Sequence, residues 1–409
     1  MFMEVSMITK GVKRAQVKSS HLFCAALASL VLEATVRAAD YSWDGSSSGD
    51  WGTAANWSAS PAFNDQANAI FYATSAGNLS TFLGGAARTV GTLTFNANAT
   101  ATVRIRLANS TTGTTPRDLN LGSASVAPVI MVESGSSADH TIGDAGGNVV
   151  LLNNLTVTKN GTTGHLYINR PITGNYGITK EGTGWLRLPA ANTYTGKTIV
   201  NGGTLVIAAA TGFGAEPISF IADQITLNGG GFIYSASINS LGNRGITLGA
   251  GGGSIGTFST APESTVLTID TPVAGVGRLT KGGTGSLALT GDNTYSGGTT
   301  VSSGFLRAGH NNALGAGAVT FNSGATRLVV ANGVTLTNSI TLNGGVGEAG
   351  RGLIENGGAG GNATISGGTL TITGNASAGG HFASTGTGGS LTIACPIIAS
   401  VTPSFRNGT

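Results

Sequence analysis

Charged side chains make up only 10% of the 409 residues, aromatic ones 6%, and cysteine occurs twice. Each shortage excludes something. Cys24 falls in an N-terminal leader, which leaves Cys395 alone, so the chain without its leader has no intrachain disulfide and is not a stapled small scaffold. Cys395 closes the apolar phrase Leu391-Thr392-Ile393-Ala394-Cys395 and reads as a buried thiol. Beyond the leader no apolar run is long enough to cross a bilayer as a helix. No nucleic-acid footprint is present either. The formal net charge of +3 belongs to residues 1–38, where Lys10, Lys13, Arg14, Lys18 and Arg37 face only Glu4 and Glu33; without them acidic and basic residues balance.

Glycine is abundant, with 67 residues. Glycine-rich, weakly charged chains are often disordered, but Val, Ile and Thr recur here at fixed spacing, which favours an ordered, turn-rich β structure. The basic start, the short apolar run Leu22 to Leu32 and the segment Val36-Arg37-Ala38 read as a secretory signal peptide over 1–38, cut near Ala38 or Ala39. Three of the four tryptophans, Trp43, Trp51 and Trp57, fall in 39–85. That segment reads as an N-terminal cap covering the first open coil of a solenoid; the alternative is a sugar-stacking site on the Trp faces.

From about residue 86 to 409 one phrase dominates: an aliphatic residue, one other residue, then another apolar one. Leu166 to Ile168, Leu186 to Leu188, Leu205 to Ile207, Ile225 to Leu227, Ile246 to Leu248, Leu267 to Ile269, Leu287 to Leu289 and Leu306 to Ala308 follow one another at steps of 19 to 21 residues. Leu370 to Ile372 and Leu391 to Ile393 repeat the spacing near the C-terminus. Alternation of this kind is the period of a strand, and a twenty-residue unit buries its apolar face only by stacking on its neighbours. The expectation is an all-β solenoid with one such strand per coil.

A longer repeat overlies the coil. Residues 179–205 and 280–306 are identical at 15 of 27 positions, with a constant offset of 101. About five coils would separate the two units and place them on the same side of the stack. Lys180-Glu181-Gly182-Thr183-Gly184, Asn192-Thr193-Tyr194-Thr195-Gly196 and Gly203-Thr204-Leu205, matched by Lys281 to Gly285, Asn293 to Gly297 and Gly304 to Leu306, resemble the autotransporter-associated β-strand repeat, also called the passenger-associated transport repeat. Leu241 to Leu248 is similar to the segment that lies between such repeats. The resemblance implies a right-handed, pectin-lyase-like parallel β-helix in a secreted or surface-exposed protein of a Gram-negative-type bacterium, with repeats over 178–207 and 279–308 that help the passenger cross the outer membrane. Full-length members end in a β-barrel translocator; this sequence stops at Thr409 without one, as a fragment or as a barrel-less secreted relative would.

The repeat residues read as structural. Gly182, Gly184, Gly196, Gly203, Gly283, Gly285, Gly297 and Gly304 mark bends, and Gly184, Gly203, Gly285 and Gly304 are expected at corners with positive φ. Asn192 and Asn293 suit tight corners by bonding their own backbone. Tyr194 and Tyr295 are expected to lean on the next coil with the hydroxyl in water. Lys180 and Lys281 read as solvated lysines on the outer face.

Chemistry is hard to find. His140, His165, His310 and His381 lack short metal-ligand spacing; His140, between Asp139 and Asp144, reads as an exposed loop residue. Asp40, Asp44, Asp50 and Asp65 sit in the cap region and the other carboxylates are scattered, with no pair two residues apart. Asp270 and Asp292, 22 residues apart, are expected on neighbouring coils, but Ala191 stands at the position of Asp292 in the first repeat. No catalytic, cofactor or metal residues are assigned. The reading is a non-enzymatic passenger with an adhesive outer face of Thr, Ser and Asn, meeting surface polysaccharide or other cells and the outer-membrane translocation machinery. A β-helical carbohydrate-active enzyme or carbohydrate-binding module is the alternative.

Overall fold

The computed structural model describes residues 39–409 except 46, 65–66, 73–78, 114, 323–325, 344–352, 358–360, 374–380, 385–388, 404 and 408–409, and the side chains of 405–407. The signal peptide expected over 1–38 lies outside the described residues. Among the described residues every pairing between strands is parallel, and all but the end strands of each sheet pair with strands of both the preceding and the following coil. The result is a parallel β-helix with three faces. A ten-stranded sheet from Ala39–Trp43 to Val273–Gly275 forms the first face and a fourteen-stranded sheet from Ser80–Phe82 to Ile397–Ala399 the second. The third face begins as the four strands from Arg88–Val90 to Ile172–Thr173 and resumes as the seven from Val266–Ile269 to Phe405–Asn407. Between these two sheets the third face has few strands, and backbone bonds such as Thr193 N–H to Ile172 O and Ala215 N–H to Tyr194 O carry the stacking.

Alternation makes each strand two-sided. In Leu155–Lys159 and Trp185–Leu188 every second residue is buried, as a strand with one face in the core requires. Leu166, Leu186 and Leu205 stack in register on the second face, and Leu267, Leu287 and Leu306 on the third. The phrases do not form a single stack, however. Ile225–Leu227 and Ile246–Leu248 pair with each other on the first face, and Leu205 is followed on its own face by Phe232. Near the C-terminus Leu370–Ile372 lies on the second face and Leu391–Ile393 on a three-stranded sheet that continues the first. The same short phrase serves all three faces, so even spacing hides a slip by one face wherever a coil carries an insertion.

Trp43, Trp51 and Trp57 are buried. Trp43 and Trp57 meet edge to face with centroids 4.8 Å apart, Trp51 stacks on Phe63 at 5.4 Å, and Phe71 carries the column on to Phe95. Trp51 Nε1 donates to Thr81 Oγ1 (3.0 Å) and Trp57 Nε1 to Trp51 O (3.1 Å). Their faces are occupied by one another, so they offer no platform for sugar. Trp51→Ala is expected to destabilise the N-terminal coils by about 3–5 kcal/mol, read as early loss of amide protection over 39–107 in hydrogen exchange.

His140 is no loop residue. It lies in the strand His140–Gly146, fully buried, with its ring stacked on Phe95 at 4.5 Å. Nδ1 accepts from Val103 N–H (3.2 Å), so the proton sits on Nε2 and is donated to Ser136 Oγ (2.6 Å), whose hydroxyl donates to Ala99 O (2.8 Å). Burial, reinforced by the nearby Lys159 ammonium and opposed by Asp139, lowers its pKa to about 4. The unfolded chain therefore binds a proton that the folded one refuses between pH 6.5 and about 4, and stability falls as pH drops through that window by about 3 kcal/mol. Denaturant midpoints at pH 7 and pH 4 should show this loss in the wild type and a smaller one in His140→Asn. Cys395 is only half-buried, against the expectation of a buried thiol.

Candidate functional site

The corners of the coil hold the residues that the two repeats share. At each bend the backbone leaves the strand ladder, and its carbonyls need other donors. Lys180, at the end of the strand Ile178–Glu181, turns inward instead of outward. Its Nζ donates to Glu181 O (2.6 Å), Gly182 O (3.0 Å) and, in the next coil, Gly202 O (3.2 Å). Lys281 does the same with Gly282 O (2.7 Å), Gly283 O (2.8 Å) and Ser303 O (3.2 Å). Both are fully buried, so the reading of solvated outer lysines is wrong: an ammonium carries three donors and no acceptor, which matches three converging carbonyls. Burial lowers the pKa of Lys281 to about 7 and, with Glu181 resisting and Lys159 assisting, that of Lys180 to about 8.

A third lysine behaves alike and was missed in the sequence. Lys159 Nζ donates to Asn160 O (2.7 Å) and Thr163 O (3.1 Å). The tetrapeptide Thr-Lys-x-Gly, at 158–161, 179–182 and 280–283, is the signal that marks all three corners.

Asn192 and Asn293 bond other coils, not their own backbone. Asn192 Oδ1 accepts from Ile172 N–H (2.9 Å) below and its Nδ2 donates to Gly212 O (3.1 Å) above. Asn293 repeats this with Val273 N–H (2.8 Å) and Ala313 O (2.6 Å). Each amide thus replaces a rung of the ladder where the third-face strands of the first repeat, or the first-face strands of the second, are interrupted. Tyr194 and Tyr295 are buried, and their hydroxyls meet Thr198 Oγ1 and Thr299 Oγ1 at 2.6 Å instead of water; desolvation raises both phenol pKa values.

Positive φ falls on Gly182, Gly203, Gly283 and Gly304. Gly184 and Gly285, expected to share it, do not; there a Cβ would strike Gly161 O at 2.5 Å or the Thr257 side chain at 2.6 Å. Gly196 and Gly297 lie against the backbone of the preceding coil, at Tyr176 and Gly177 and at Gly277 and Arg278.

The two repeats do not lie on the same side of the stack. Ile178–Glu181 belongs to the first face and Leu279–Gly282 to the second; Trp185–Leu188 belongs to the second and Ser286–Leu289 to the third. The first face advances through Ile178, Thr198, Ile225, Ile246 and Val273, and the next strand begins the second repeat one face on. The offset of 101 is therefore four coils and one face.

The passenger-associated-transport-repeat family matches residues 178–207 and 279–308. The chain carries two passenger-associated transport repeats. Over 235 residues it is 33% identical to the adhesin BmaC autotransporter of Brucella suis biovar 1 (strain 1330), a stretch that is 56% of this chain and 6% of that relative. The chain thus spans a small part of the length of the curated relative it matches. No solved structure matches it.

Outside the corners, Asp270 accepts from Ser240 Oγ (2.8 Å) and Asp292 from Asn312 Nδ2 (2.8 Å), so the two turn to different partners. Asp144 faces Arg104 at 3.6 Å. Among the described residues no three His, Cys, Asp or Glu stand close enough to hold a metal ion.

Asn192→Ala leaves the buried Ile172 N–H unpaired and Gly212 O with only the long contact from the Tyr194 hydroxyl (3.4 Å), and is expected to cost about 2 kcal/mol, whereas the adjacent, exposed Thr193→Ala stays within about 0.5 kcal/mol of wild type. Chemical unfolding of the two variants measures the contrast.

Proposed function

We propose that this chain is a non-enzymatic, adhesive passenger-type segment of a bacterial surface protein, exported and displayed outside the outer membrane of a Gram-negative-type cell. The likeness to an adhesin autotransporter over 235 residues carries this reading, and the two transport repeats set in one parallel β-helix support it. The leader 1–38 directs export, residues 39–85 cap the first coil, and 86–409 form the displayed rod. The corner lysines and asparagines close the backbone at the coils that carry the repeats. A completed coil presents an open row of strand edges, and the next coil pairs onto it. A chain emerging through the outer-membrane translocation machinery folds by this route, one coil at a time. The buried Ser136–His140 pair is inaccessible to substrate, and Glu263 and Glu355 are both ion-paired with Arg327, so an enzyme has less to support it than an adhesive rod.

Protease treatment of intact producing cells, compared with cells lacking the gene, tests the reading together with adherence to other cells. Release of fragments of 39–409 and a severalfold loss of adherence on deletion are expected. A protein shielded from protease, or unchanged adherence, overturns it.

A further inference from the structure

The outward positions of the equivalent strands, on the second face in the first repeat and on the third in the second, differ between the two repeats. Shared residues with inward side chains, such as Lys180, Leu186, Leu188 and Tyr194, are buried in both copies. Trp185 and Arg187 point outward, and their counterparts one repeat later are Ser286 and Ala288. The fold does not need an indole or a guanidinium at these positions.

Around them an aromatic shelf is assembled from three separate parts of the chain. His165 and Tyr167 lie on the coil below, in register with Trp185 and Arg187. Phe258, from the segment after Gly253–Gly256, lies over the outside of the sheet with its ring 6.0 Å from that of Trp185. The Arg187 guanidinium carbon is 5.3 Å from the ring centroids of Tyr167, Trp185 and Phe258, within cation–π range of all three. The rings shield Nε, which has no hydrogen-bond partner. Among the described residues Arg187 has no ion-pair partner; the neighbouring carboxylate, Asp139, is bonded to the His165 backbone N–H at 2.7 Å. Arg187, Tyr167, Pro189, Val206 and Ser235 border a hollow of about 100 Å³. On the same sheet, across Gly203, Gly231 and Gly256, a glycine-floored groove of about 250 Å³ extends over the next coils.

We propose that this shelf binds a carboxylate-bearing sugar of an acidic surface polysaccharide. The guanidinium edge pairs with the carboxylate as a fork. The half-buried Phe258 ring supports the apolar face of the sugar, and the glycine groove takes the adjoining sugar units. An acidic peptide fits less well: peptides are held by an open strand edge, and here each strand is already paired on both sides by its own coils. The proposal deepens the adhesive reading and rests on it for its biological setting, while its test needs only purified protein.

The full chain is titrated calorimetrically at ~0.15 M salt with polygalacturonate, with the same polymer fully methyl-esterified, and with polyglutamate. Wild type is expected to bind polygalacturonate at least tenfold more tightly than either control. Arg187→Ala, the residue already present as Ala288 in the second repeat, should fold normally and lose at least tenfold. Arg187→Lys, which keeps the charge without the fork, should lose severalfold, as should Phe258→Ala. Equal binding of acid and ester, equal binding of polyglutamate, or undiminished binding by Arg187→Ala each overturns the site. Wild-type cells that adhere as well with Arg187→Ala overturn this site and leave the adhesive reading standing. Non-adherent wild-type cells overturn the adhesive reading while uronate binding is still scored on the purified protein.

Discussion

The structure depends on closing the backbone at the corners. Strands in a parallel coil satisfy one another, rung by rung, but each bend turns carbonyls and amides away from that ladder into a space too tight for water. A buried polar group left there costs about 1–3 kcal/mol, and a solenoid repeats the bend many times. This chain answers with two side chains. An inward lysine gathers three carbonyls, twice in the transport repeats and again in modified form at Lys159. An asparagine spans three coils, accepting from the one below and donating to the one above. The glycines follow from these two: a Cβ at Gly304 would meet the carbonyls of Gly283 and Gly285 and the Lys281 ammonium itself.

That explains what was legible in the sequence. The alternating aliphatic phrase marks strands because apolar stacking is periodic in one dimension, and a β-solenoid follows from it; the resemblance of the two repeats adds the parallel β-helix. The two repeats are visible because their corners are chemically demanding and reuse the same residues. Four things were hidden. A lysine beside glycine looks solvated until three carbonyls are seen to converge on it, and the Tyr194 hydroxyl looks exposed until Thr198 is found beside it. The burial of His140 depends on Phe95 and Val103, from the preceding coil, and nothing local announces it. The Arg187 shelf joins residues from 165 to 258, a distance over which the sequence shows no shared pattern.

The rotation of the second repeat by one face has a simple cause. The faces differ in length and neighbours, but their corners share one geometry, because a bend between two parallel strands has the same unsatisfied carbonyls whichever faces it joins. The motif is a property of the bend. Four coils and one face separate the copies because insertions such as those between Ile207 and Ile221 change coil length without disturbing the corners on either side. A corner that works at any azimuth lets a rod grow by whole coils or by thirds of a coil, and length can change without a new design for closure.

Inside and outside then carry separate constraints. Inward positions are held by stacking: Leu186 rests on Leu166 and Leu205, and a change in volume is felt by both neighbours. Outward positions point to the opposite side and fit whatever covers them there: Trp185 stacks on His165, while Ser286 and Ala288 are buried. Trp185 and Arg187 can become Ser286 and Ala288 one repeat later with the same corner beneath them. A surface that varies freely over an interior that does not is what a displayed rod requires. The place to look for recognition on such a chain is where an outward residue is larger, or more highly charged, than its counterpart in the other repeat.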